Sequence, residues 1–102
     1  MNKRTKATSI TPAVRRAVEE RDEHSCIFCG RIGRGEGHFI KRSQGGLGIE
    51  QNIITVCREC HHQMDDGLAR ELYLIKAENY LKGIYPGWNK EALVYKKEGY
   101  GY

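Results

Sequence analysis

Cys26-Ile27-Phe28-Cys29, then Gly37-His38-Phe39-Ile40-Lys41-Arg42-Ser43-Gln44-Gly45-Gly46, then Asn52-Ile53-Ile54-Thr55-Val56-Cys57-Arg58-Glu59-Cys60-His61-His62: the rest of the chain is organised around this sequence. The stretch from Cys26 to Asp65 holds all four cysteines and all but one of the four histidines. Two CxxC pairs bracket a histidine, a glycine-rich loop and an asparagine, and a second histidine directly follows the last cysteine. Tetrahedral zinc takes four thiolates, and each CxxC offers two sulfurs from one side of the ion, so Cys26, Cys29, Cys57 and Cys60 read as a zinc site. A redox dithiol or a disulfide is the rival, but neither pair sits in a βαβ pattern. Four thiolates leave no open coordination position. Such a zinc is structural and contributes to folding, and it does not decide whether the chain is an enzyme.

Working outward, a chain of 102 residues suggests one small domain with a modest core, the size at which a metal staple helps most. The net charge of +4 and pI of about 8.9 are compatible with nucleic acid without proving it. Lys3, Arg4, Lys6, Arg15 and Arg16 precede the first acid, Glu19, while Arg31, Arg34, Lys41 and Arg42 flank His38. No apolar run approaches the roughly 18 residues of a membrane span. The basic N-terminus has no hydrophobic stretch behind it and is not a signal peptide, so the cytoplasm is the expected compartment, where thiols stay reduced.

Residues 1–9 read as a disordered basic arm, with a single domain over 10–102. Thr11-Pro12 starts a helix that runs to about Asp22, with Ile10, Val14, Ala17 and Val18 on one face. Its arginines, Arg15 and Arg16, fit a solvated face better than DNA contact. Asp22 and Glu23 read as surface charge, and His24 as a surface residue or one just behind the metal. Gly37–Lys41 has strand character. Ser43–Gln51 is a loop, and Ile53–Val56 is the clearest strand, pairing antiparallel with Phe39–Ile40. A helix beginning near Cys57–Cys60 places His61 and Asp65 on one face. Gly67 interrupts it, and a further helix over 68–83 presents Leu68, Leu72, Ile75 and Leu81 as its apolar stripe. Trp88, Leu93, Val94 and Tyr95 fold back on the core, Asn89 caps a short turn, and Gly99–Tyr102 is expected to fray.

His38, Asn52 and His61 each have an ordinary structural explanation taken singly. Together, His38 lies in the first strand, Asn52 opens the second and His61 opens the following helix, and a β–loop–β–helix unit would bring all three to one cleft. The stretch resembles the HNH endonuclease motif, the ββα-metal nuclease finger, in the subgroup braced by two CxxC knuckles. Gly37-His38-Phe39-Ile40 with Arg42-Ser43-Gln44-Gly45-Gly46 is similar to that family's first segment, Asn52–Cys57 to its Asn-Leu-hydrophobic-Cys segment, and Cys60-His61 to its closing Cys-His. The likeness runs from Cys26 to about Gly67.

The resemblance implies a small α+β fold: a ββα finger with a structural zinc, flanked by an N-terminal helix and C-terminal helices. It implies a metal-dependent DNA endonuclease that hydrolyses phosphodiester bonds, with little sequence preference, to 5′-phosphate and 3′-hydroxyl products. His38 would be the general base, and His61 and Asp65, with Asp66 in reach, would hold a catalytic Mg2+ or Mn2+. Asn52 would brace the loop that orients His38. Lys41 and Arg42 would hold phosphate, unless they simply form a solvated loop, and His62 would lie off the ion. The likeness to small phage-type members implies DNA as partner, a monomer in the host cytoplasm and an association with DNA-packaging proteins. The chain departs from the pattern at Gly37, where many members carry an aspartate or histidine ligand, which implies weak metal binding or low activity. The alternative is a zinc-knuckle DNA-binding or adaptor module without chemistry.

Overall fold

Helix formation begins earlier in the chain than the sequence suggests. The computed structural model describes residues 2–97. Within them Lys3–Thr8 form helix α1, capped by the Asn2 side chain on the Thr5 amide, so the basic segment expected to be disordered is folded. Six residues cannot hold a helix alone in water. α1 stands because it is docked: the Gly48 amide donates to the Ala7 carbonyl at 3.0 Å and Thr8 is buried. Helix α2, Pro12–Arg21, follows with Thr11 as its cap and Val18 fully buried.

Strands β1 (Arg34–His38) and β2 (Ile53–Val56) make a two-stranded antiparallel sheet. β1 starts and ends earlier than the expected Gly37–Lys41. Gly37 faces Ile54 and His38 faces Ile53, with a bulge between Gly35 and Gly37. Phe39 and Ile40 leave the ladder and bond to Asn52 instead. α2 packs against both strands. Two short 3-10 turns, Arg42–Gln44 and Glu50–Asn52, bound the connecting loop. Inside it Gly46 passes so close to Ile40 that a Cβ would lie 1.7 Å from the Ile40 carbonyl oxygen, a contact only glycine permits.

Helix α3 spans Arg58–Asp66, capped by the Cys57 sulfur and buried through Cys60 and Met64. Helix α4 spans Arg70–Ile84. Of the expected aliphatic stripe only Leu81 faces inward: Leu68 lies before the helix and, like Leu72 and Ile75, is exposed. Ala77 and Leu81 are buried, with Tyr73 and Leu74 packed against the same core. Two tyrosines set the rotation: Tyr73 meets Phe28 edge to face at 4.8 Å, and the Tyr80 hydroxyl donates to Asp22. Beyond α4, Trp88 and Leu93 are buried, and Asn89 caps a 3-10 turn. The Tyr95 amide bonds to Gly45 and the Leu47 amide to Leu93, so this last segment straps the glycine loop. The expected fraying of Gly99–Tyr102 lies outside the described residues.

Asp22, read from sequence as surface charge, is buried. It pairs with the Arg21 guanidinium at 2.7 Å and accepts the Thr55 amide at 2.9 Å and the Tyr80 hydroxyl. Burial alone would push its carboxyl up, but the Arg21 and Tyr80 bonds outweigh that and hold it below the ordinary 3.8. The same bonding pushes the Tyr80 phenol, already raised by burial, up to about 12. The stabilisation from ionised Asp22 is therefore complete above the unfolded carboxyl's titration and is lost as pH falls through the lower folded value. Asp22→Asn should cost about 3 kcal/mol at neutral pH, because it leaves Arg21 short of its partner. In urea melts the gap between parent and variant should narrow as pH drops below 3.8. A gap that stays constant across that range would show that Asp22 is not ionised in the fold.

Candidate functional site

The two CxxC knuckles meet. Cys26 and Cys29 lie between α2 and β1, Cys57 caps α3, and Cys60 lies in its first turn. Their four sulfurs all lie within 4.8 Å of one another, with Cys26 and Cys60 buried and Cys29 exposed. The Cys60 amide, 3.4 Å from the Cys57 sulfur, draws the Cys57 thiol down to about 7, whereas burial pushes the Cys60 thiol up. Four cysteine sulfurs this close together suit a structural metal such as zinc, and none of them is disulfide-bonded.

Farther along α3, a second group faces a separate cleft of about 410 Å³. Glu36, His38, Lys41, Arg42, Ser43, His61, Asp65 and Asp66 line it. The end of β1 supplies Glu36 and His38, the loop supplies Lys41 to Ser43, and one face of α3 supplies the rest. His61 Nε2 lies 3.3 Å from Asp65 Oδ2 across one helical turn, and Lys41 Nζ lies 3.8 Å from Asp66. His38 is half-buried, and its Nε2 is 2.9 Å from the Thr8 carbonyl oxygen. Burial lowers its affinity for a proton more than the Thr8 carbonyl and Asp65 raise it, while Arg42 and His61 lower it further. The ring is therefore neutral near pH 7.

Asn52 lies behind the cleft, fully buried. Its Oδ1 accepts the Ile40 amide at 2.8 Å, and its Nδ2 donates to the carbonyls of Leu47 at 2.8 Å and Ile40 at 3.2 Å. The side chain thus ties both ends of the loop that follows His38. Arg42 is engaged by α1, its Nη2 donating to Ser9 Oγ at 2.7 Å and its Nε to Thr8 Oγ1 at 3.1 Å. His62 and His24 are exposed, and neither lines the cleft.

Glu36 was not anticipated. A Cβ at Gly37 would point at Val56 Cγ2 (3.1 Å) and Ile54 Cγ1 (3.2 Å), on the packed side of the ribbon. A side chain at 37 would therefore face the core, while Glu36 and His38, on either side of it, both line the cleft. The period-two alternation of a strand pairs residues 36 and 38, and this was the available sequence signal.

No family model matches the chain, and none of the curated proteins matches it. Among the described residues, no helix is long and apolar enough to cross a membrane. The thiol cluster makes a direct prediction. Elemental analysis of purified protein should find about one equivalent of zinc, and Cys60→Ser should lose it together with cooperative thermal melting. A metal-free parent that melts just as sharply would show that the knuckles need no ion.

Proposed function

We propose that the chain is a metal-dependent DNA endonuclease of the HNH type. The observation that carries this reading is that His38, on a strand, and the His61–Asp65 pair, on a helix, line one cleft together with Lys41 and Arg42. The neutral imidazole of His38 takes the proton from the attacking water. Lys41 and Arg42 offer positive charge to the backbone phosphate, a contact without sequence preference that weakens with salt. Asn52 keeps the loop from drifting and so holds His38 and the basic pair in register.

Carboxylate oxygens and water suit Mg2+ or Mn2+, and Asp65 and Glu36 would hold the ion beside His61, with Asp66 at the rim. When bound, it would neutralise the scissile phosphate and stabilise the leaving 3′ oxygen. Glu36, which lines the same cleft, would supply the carboxylate that position 37 cannot, since a side chain there faces the core.

Two measurements test this. Supercoiled plasmid with Mg2+ or Mn2+ should be nicked or cut by the parent, and His38→Ala should slow this by at least about a hundredfold. Intact plasmid with every divalent ion, from a protein that still binds DNA, would favour the zinc-knuckle adaptor instead. Independently of activity, Mn2+ titrated against the parent and followed by electron paramagnetic resonance should bind about tenfold more tightly than to Glu36→Gln. Gly37→Asp should bring no gain. Equal affinities for parent and Glu36→Gln would remove Glu36 from the site.

A further inference from the structure

We infer that the carbonyl at the end of α1 positions the base: by accepting the His38 Nε2 hydrogen, the Thr8 carbonyl leaves Nδ1 as the basic nitrogen of the ring. The inference rests on the nuclease reading for its catalytic meaning, and on geometry for the bond itself.

A carbonyl oxygen only accepts, so at 2.9 Å the Nε2 of neutral His38 must carry the hydrogen. Nδ1 then holds the lone pair. Thr8 is the last residue of α1, so its carbonyl is one of the groups that a helix end leaves without an internal partner. His38 satisfies it. When a base takes a proton the ring becomes cationic, and an oriented carbonyl stabilises that charge without having to move.

The docking that holds this carbonyl in place comes from the catalytic loop itself. The Gly48 amide holds Ala7, Arg42 holds Thr8 and Ser9, and Arg4 Nη2 donates to the Ser43 carbonyl at 3.2 Å. Loop and helix therefore fix each other, and the ring lies between them. An N-terminal segment that looks dispensable in the sequence thus belongs to the machinery as a positioning element.

A single methyl group tests the arrangement in the full-length chain. At Gly48 a Cβ would lie 2.0 Å from the Ser9 carbonyl oxygen and 2.5 Å from its carbon, both backbone atoms that cannot swing aside. Gly48→Ala must therefore lift the end of α1. Imidazole 15N spectra above the ring's titration should show His38 as the pure Nε2–H tautomer in the parent and as a mixture in Gly48→Ala. Plasmid cleavage should lose about tenfold in kcat with KM little changed, as expected for a misplaced catalytic group. Thr8→Val removes the hydroxyl that Arg42 Nε bonds but keeps the carbonyl, the Gly48–Ala7 bond and the Arg42–Ser9 bond, and should leave the tautomer pure.

Should Gly48→Ala fail to fold, the parent alone decides: a through-hydrogen-bond coupling from His38 Nε2 to the Thr8 carbonyl carbon supports the bond, and its absence overturns it. An Nδ1–H parent, or a folded Gly48→Ala with unchanged tautomer and kcat, also overturns the inference while leaving the nuclease reading intact. A parent that shows the coupling yet cuts no DNA overturns the nuclease reading, and with it any catalytic role for the bond.

Discussion

One carboxylate, that of Asp22, joins elements distant in sequence. It sits just past α2, takes the Thr55 amide from β2 and the Tyr80 hydroxyl from α4, and is balanced by Arg21, which also reaches the carbonyls of Glu50 and Ile53. A buried charge is tolerated only when its lone pairs are filled by well-placed donors, and here they are. The consequence is positional. The first CxxC begins four residues after Asp22, β2 ends at the second, and α4 packs into the same core as Cys26 and Cys60. Fixing the end of α2 against β2 thus helps to bring the two pairs of sulfurs face to face.

The glycine loop is held from three directions. Asn52 bonds it from beneath, α1 from one side, and the segment after Trp88 from the other, through Gly45, Leu47, Leu93 and Tyr95. A loop of this composition would otherwise be mobile. Here its backbone groups are spent on partners from both ends of the described chain, so the cleft beside it keeps its shape although few of its lining side chains are packed.

What could be read from the sequence was local. Thr11-Pro12 and Asn89 announce helix starts through side-chain caps that need only the next three residues, and both caps form. The β-branched run at Ile53–Val56 and the CxxC spacing are likewise self-contained, and the four sulfurs do converge. The shared cleft of His38, His61 and Asp65 could be inferred because each sits at the edge of an element whose order was clear. Other features depended on partners far along the chain. Asp22 looked like surface charge because Thr55 and Tyr80 lie 33 and 58 residues away. The aliphatic stripe of α4 turns inward only at Leu81, because tyrosines with distant partners set the helix's rotation. α1 has no amphipathic signature, and beyond its Asn2 cap it is held by bonds to the loop it rests on.

Trp88 is the chain's single tryptophan. Its indole lies edge to face on Phe39, 5.5 Å between centroids, and donates to the Gln51 carbonyl at 2.7 Å. Phe39 directly follows His38, and Gln51 directly precedes Asn52. The protein therefore carries a built-in fluorophore wedged into the joint between the two strands. Its emission tracks whether that joint is closed, so the geometry behind the cleft can be followed optically, without added dye, while ions or DNA are titrated in front of it.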